Sequence, residues 1–344
     1  MKLTKRTFLK GAALSLAVPA ISRAPAYAAT TTFVLSSWLP PRHPLVIGAI
    51  KPWADKVEAV TDGRVRIRVL SKPLGAPPAH FDMAHDGVAD ITYGLHSFTS
   101  DDRFMRSRVG QFSFLGDDAV TTSTNFWNVY TEDLDAASEH EGTKILGLFT
   151  HGPGVLLSKD RKFAAASDFQ GFKVRTPGGY SGDLMSGLGA TTLFMSSGEV
   201  YEKLSRGVID GVCMAMDSVQ ALKLEKYITD VMTVPGGLYN TSWFLVMNQG
   251  KWDGLSAEDQ QAIMSVSGPA FSELAGNAWN EADKVGIKTC QDAGIAIYQV
   301  DDNVLGDIVS TGAPLEKAWI DAVAAEGFDA TAALAKMQTM KPAP

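Results

Sequence analysis

Arg175 carries the most specific chemistry in this sequence. It is the last residue of a short strand expected at Lys173–Arg175, and Pro177-Gly178-Gly179 follows almost at once. A proline and a glycine pair do not extend a strand, so the guanidinium falls at the carboxyl end of a parallel β-strand. Ligands of open α/β sheets usually bind at that edge. A guanidinium there offers a planar fork of donors that matches two carboxylate oxygens, a geometry lysine lacks. The expectation is a carboxylate clamp; a surface ion pair is the competing reading.

The other candidates are mostly apolar. Trp38 follows a strand expected at Thr31–Ser36 and is placed to stack on an apolar or aromatic ligand. Tyr93 and His96 lie at the end of a strand expected over Val88–Tyr93 and would line the facing wall. Met214 and Asp217 occupy the matching strand end in the second half of the chain. Methionine there is an adaptable apolar wall, whereas Asp217 contacts ligand, holds Arg175 in place or caps the next helix. Phe194 and Trp243 are aromatic candidates for the hinge side of a cleft, with core packing as their competing role.

Enzyme constellations are scarce. Gly179-Tyr180-Ser181-Gly182-Asp183 lacks the glycine that a nucleophile elbow needs two places after its serine. Cys213 sits in an apolar strand with no neighbouring base, which reads as an inert thiol. His80 and His85 are five apart rather than the helical four, so with Asp82 and Asp86 they read as a solvated helix face, not a metal site. No phosphate loop, zinc cysteine pairs or dinucleotide fingerprint is present in the sequence, and neither cofactor nor metal is expected.

The elements that position these residues repeat. Pro44 opens a helix with Leu45, Ile50, Trp53 and Val57 on one face, and Arg64–Val69 alternates as a strand with one wet, basic face. A helix over Ala79–Asp86 stops at Gly87. The stretch Ala84–Ile91 (AHDGVADI) echoes Leu204–Gly211 (LSRGVIDG): a helix end, a glycine, Val-x-Asp, then a strand. Each echo lies downstream of a strand tip bearing a bulky residue, Trp38 or Arg175. Two lobes on a similar βαβαβ plan are therefore expected, sharing one cleft. Ser196 with Glu199 offers a capping box for the helix ending at Gly207. Ser242–Asn248 reads as a buried strand returning to the first lobe. A long helical stretch runs from Ser256 to about Cys290, a strand over Gly294–Val300, and helices over Asp302–Ala325 and Ala330–Met340.

Composition narrows the setting. Residues 1–28 read as an export signal: Lys2, Lys5, Arg6 and Lys10, an apolar run from Ala12 to Val18, and Ala26-Tyr27-Ala28 as cleavage site. Thr4–Lys10 approximates a twin-arginine motif with lysine for the first arginine, which leaves general secretion and twin-arginine export both open. Removing the signal takes the net charge from −7 to −12, which argues against nucleic acid or an anionic membrane surface as partner. No later apolar run is long enough to span a bilayer. Cys213 and Cys290 are expected as two buried free thiols, a disulfide being the alternative.

Several segments together resemble the substrate-binding proteins of tripartite ATP-independent periplasmic (TRAP) transporters, the DctP-like group. They are Trp38–Leu45 (WLPPRHPL), Thr61–Val65, Asp86–Asp90, Asp168–Arg175 (DFQGFKVR), Gly198–Gly211 and Asn248–Leu255 (NQGKWDGL). The resemblance implies an α/β, two-lobed periplasmic binding protein of type II-like plan, each lobe a mixed sheet flanked by helices, with a long helix spanning both. It implies lobe I at 29–151 plus about 241–275 and lobe II at 152–240 plus about 276–344. It further implies no catalysis, a periplasmic location, and delivery of a small organic acid to a TRAP permease, with Arg175 on the family's signature arginine; a monomer is the default expectation. Two departures refine this. A second arginine common before the signature arginine is replaced here by Gly152-Pro153-Gly154, and the run Val212–Met216 is apolar where sugar-acid binders are polar. The expected ligand is thus a monocarboxylate with an aromatic or hydrophobic body. Receptors for ABC transporters or sensors, and an exported α/β hydrolase, are the alternatives.

Overall fold

The computed structural model describes residues 30–99 and 101–342; the export-signal reading of 1–28 lies outside them. Eleven strands form two sheets among the described residues. The first contains β1 (Thr31–Ser36), β2 (Val65–Val69), β3 (Ile91–Leu95) and β4 (Thr143–Thr150). The second contains β5 (Val155–Ser158), β6 (Lys173–Thr176), β7 (Thr191–Phe194), β8 (Gly211–Met214) and β9 (Asp230–Thr233). Then β10 (Ser242–Asn248) returns to the first sheet and β11 (Ala296–Gln299) to the second. The orders are β2-β1-β3-β10-β4 and β11-β9-β5-β8-β6-β7.

The repeated plan is real. In β2-β1-β3 and β7-β6-β8 the middle strand is parallel to both neighbours. In each unit a strand antiparallel to its neighbours follows, β10 in one sheet and β5 in the other. The Gly-Val-x-Asp echo has a physical cause. Gly87 and Gly207 take φ of 73° and 68°, a left-handed turn that ends the preceding helix at little cost to glycine. Three residues on, Asp90 Oδ2 accepts the Val34 N–H at 2.8 Å, and Asp210 Oδ2 accepts the Lys173 N–H at 3.0 Å. Each aspartate thus ties the third strand of its unit to the first. Because Val88–Asp90 form this turn, β3 begins at Ile91 rather than Val88.

The chain crosses between sheets at 151–154 and at 234–241, and these crossings pair. Gly154 N–H donates to Tyr239 O at 3.0 Å, and Leu238 N–H to Gly154 O at 2.9 Å. Asn240 brackets His151, accepting its N–H at 3.2 Å and donating to its carbonyl at 3.1 Å. A third crossing is the helix Pro269–Ala293, which packs on Ala119–Asn128 and β4 at one end and on Asp217–Ala221 and β11 at the other. The single helix expected from Ser256 to Cys290 is two. Gly268 at φ 59° donates its N–H to Leu146 O, and Pro269 restarts the helix, because a proline resists a helical residue before it. Helix Ala330–Met337 packs against both Asp302–Ala325 and Ala119–Asn128.

Alternation in β2 buries Val65 and leaves Arg66 and Arg68 wet, as expected of a strand with one solvated face. Trp53, Phe149, Phe271 and Leu35 fill the first sheet's core; Leu157, Val212, Val231 and Leu204 fill part of the second's. Cys213 and Cys290 are both buried and free. Among the described residues no helix is long and apolar enough to cross a membrane.

Candidate functional site

A cavity lies where the two crossings, the long helix and the carboxyl ends of β1, β6 and β8 meet. Arg175 reaches it from β6. The side chain is 4 % exposed and is aimed by the backbone of its own lobe: Nε donates to Met195 O at 2.9 Å and Nη1 to Cys213 O at 3.1 Å. No carboxylate among the described residues lies within ion-pair distance of it. Burial therefore pulls its pKa below the ordinary arginine value. A buried cation whose own chain supplies no anion is a costly arrangement unless a ligand completes it. The surface ion-pair reading does not fit.

The walls are aromatic. Trp38 stacks on Trp243 with centroids 5.8 Å apart and planes within 6°, and Trp243 stacks in turn on Phe149 at 5.6 Å. Both indoles are pinned, Trp38 Nε1 to Tyr93 O at 3.1 Å and Trp243 Nε1 to Thr241 Oγ1 at 2.8 Å. Trp279, from the long helix, and Phe98 close two further sides. A rigid aromatic box beside a guanidinium can hold a planar apolar body and one carboxylate.

A third group of residues is titratable. Asp217 Oδ2 lies 3.9 Å from His43 Nε2, and the Asp217 N–H donates to Asp283 Oδ1 at 2.8 Å. Burial, and for Asp217 the neighbouring Asp283 charge, push both carboxyls up, Asp283 to about 7. Burial holds His43 and His151 down at about 4. Burial thus favours the neutral forms of Asp217, His43 and His151 beside the Arg175 cation.

Residues 35–320 match the bacterial extracellular solute-binding protein family 7, DctP. The chain belongs to this family. It is 30 % identical to the outer membrane transporter protein TsaT of Comamonas testosteroni over 94 % of each chain. A TRAP periplasmic solute-binding protein from Bordetella bronchiseptica, solved with (R)- and (S)-mandelate, is 35 % identical and superposes with a TM-score of 0.86, covering 90 % of this chain and 98 % of its own. One from Rhodoferax ferrireducens, solved with copurified benzoate, is 27 % identical with a TM-score of 0.82, covering 90 % and 97 %. The chain is a TRAP-type solute-binding protein with the two-lobed α/β architecture of these relatives.

Within this DctP-family fold the expected site residues divide cleanly. Arg175, Trp38, Met214, Asp217 and Trp243 line one cavity. Tyr93 does not; it lies fully buried behind Trp38, its hydroxyl 2.7 Å from Ser37 Oγ. His96 faces away, its Nε2 3.1 Å from His140 Nε2 in a cluster with Phe104, Tyr130 and Phe244. Phe194 stands at the rim, 55 % exposed, edge-on to Phe98 across the lobes. Asp217 neither pairs with Arg175 nor caps the helix Asp217–Ala221, whose N-cap is Met216. His80, read as part of a wet helix face, is instead fully buried between Ser36 Oγ and Ala76 O.

Residues missed from sequence are His43, Phe98, His151, Tyr239, Thr241 and Trp279. His151 and Tyr239 sit on the crossings, and the Gly-Pro-Gly after His151 was a usable signal. Of Val212–Met216, only Met214 and Ala215 reach the cavity; Val212 and Cys213 are core.

Proposed function

We propose that this protein captures an aromatic or similarly apolar monocarboxylate in the periplasm and delivers it to a TRAP permease. Arg175 receives the carboxylate and the tryptophan box receives the body. The observation that carries this reading is the buried Arg175 guanidinium with donors to spare, facing Trp38, Trp243 and Trp279 in one cavity. Mandelate and benzoate in the two related structures have this chemistry, a single carboxylate on an aromatic body. The lining adds selectivity, because a second carboxylate on the ligand would find no second arginine or lysine there.

The protein performs no chemistry on its ligand in this reading. It acts by a population shift: a ligand touching both lobes favours the closed arrangement, which the permease then recognises. Lobe-to-lobe contacts of the kind closure needs are Ser97 Oγ donating to Pro177 O at 3.0 Å and Arg108 with Asp183 at 2.6 Å. The working unit is a monomer. A thermal-shift panel of organic acids tests the ligand class, since a ligand at 100 times its Kd stabilises by about 2.7 kcal/mol. Shifts confined to dicarboxylates or sugar acids would overturn the proposal. Light scattering tests the monomer, and uptake in vesicles holding the cognate permease tests delivery.

A further inference from the structure

The cavity has a second polar end that a carboxylate clamp leaves unexplained. The Asp217 side chain is 5 % exposed, and among the described residues the donor that reaches its carboxyl is the adjacent Ser218 backbone N–H. His43 faces it at 3.9 Å, beyond hydrogen-bond reach. The Leu45 N–H donates to His43 Nδ1 at 3.2 Å, so the neutral imidazole carries its proton on Nε2, the nitrogen that faces Asp217. Trp279 sets its ring edge-on to His43 at 5.8 Å, lines the same cavity, and has a buried indole N–H without an acceptor. An acceptor with capacity left thus faces the His43 donor without pairing with it, and Trp279 adds an unpaired donor to the same lining.

We propose that Asp217 and His43 form a hydroxyl-recognition subsite, and that the preferred ligand is a hydroxy-substituted aromatic monocarboxylate. The ligand hydroxyl donates to Asp217 and accepts from His43 Nε2–H. An oxygen about 2.8 Å from both would see them at an angle of about 90°, which a hydroxyl accommodates. Other ligand groups fit less well. An ammonium has no lone pair for the His43 or Trp279 N–H, and a second carboxylate finds no second arginine or lysine in the lining. A bare hydrocarbon edge leaves all of these groups unpaired, the arrangement that discriminates most strongly against the analogue lacking a polar group. This inference rests on the carboxylate reading of Arg175 and adds a second anchor to it.

The test is calorimetry on the full mature chain at pH 7 with matched acids. These are phenylacetate against mandelate and phenylglycine, and benzoate against its 2-, 3- and 4-hydroxy derivatives. At least one hydroxy acid should bind about tenfold or more tighter than its parent, the worth of one hydrogen bond to a buried charged or polar partner. In Asp217→Ala that ratio should fall within threefold. Asp217→Asn, which keeps an acceptor oxygen in place, should retain part of the preference and serves if Asp217→Ala does not fold. Hydroxy acids all within threefold of their parents in the wild-type protein would overturn the subsite. So would a preference that survives Asp217→Ala, or phenylglycine binding more tightly than mandelate. If no aromatic acid binds and Arg175→Ala changes nothing, the carboxylate reading itself fails and the subsite with it.

Discussion

Replacing Arg175 by methionine should separate ligand affinity from stability. Of the five guanidinium N–H donors, the Nε one and one on Nη1 are committed to Met195 O and Cys213 O, leaving three for a ligand. Two charge-assisted bonds to a carboxylate are worth about 1.5–3 kcal/mol each, so losing both costs roughly 3–6 kcal/mol, or about 10²- to 10⁴-fold in affinity. The ligand-free protein has opposing terms. Two buried carbonyls lose their donors, at about 1–3 kcal/mol each, while a buried cation lacking an internal partner is removed, a relief of several kcal/mol. The net change in unfolding free energy should stay within about 2 kcal/mol. Arg175→Lys keeps the charge but not the planar fork and should still lose at least about tenfold. Titration calorimetry gives the affinities and urea denaturation the stabilities. An affinity within twofold of wild type in Arg175→Met would refute the clamp. An unfolded variant would instead make Arg175 a structural residue first.

Three further outcomes follow from the packing. A Cβ on Gly286 would fall against Met216 O, the turn that presents Asp217, so Gly286→Ala should destabilise by a few kcal/mol and weaken binding, read by urea denaturation and calorimetry. The Asp283 carboxyl is held near 7 against an ordinary value near 4, chiefly by burial. The native state therefore keeps a proton that the unfolded chain releases, and stability is lost as pH rises from about 4 through about 7. Asp283→Asn should accordingly raise ligand-free stability at pH 8, with the gain gone below pH 4, as unfolding curves across that range will show. Burial pushes the Cys213 and Cys290 thiols up to about 12 and about 11. Both should be inert to an aromatic disulfide reagent at pH 8 and react, two per chain, only in denaturant.

The strands and the placement of Arg175 in the cavity were legible in sequence because their determinants are local. Lys173–Arg175 ends where proline and glycine forbid a ladder, and β2 shows its wet face by alternation. The Gly-Val-x-Asp echo encodes a left-handed glycine and a carboxylate that ties two strands. What the sequence hid depends on distant packing. The helix break at Gly268 is fixed by a hydrogen bond to Leu146, more than a hundred residues away in the chain. His96 follows a strand end and Tyr93 lies within the strand, yet both side chains turn into the core, a choice set by His140 and Ser37. Trp279 lies on the long helix and His43 in the turn before a helix, and which way each faces is decided only when the two lobes meet. The apolar run Val212–Met216 pointed to the right kind of wall through the wrong residues, since the aromatic surface comes from Trp38, Trp243 and Trp279.

The most direct test of the central claim is a competition between ligand classes on the wild-type protein. Benzoate, phenylacetate and mandelate would be titrated beside succinate and glucuronate in one calorimetric series at pH 7. The buried Arg175 and its aromatic box predict that the best aromatic monocarboxylate binds at micromolar Kd or tighter, and at least about a hundredfold better than either polar acid. Equal or tighter binding of succinate or glucuronate would contradict the account.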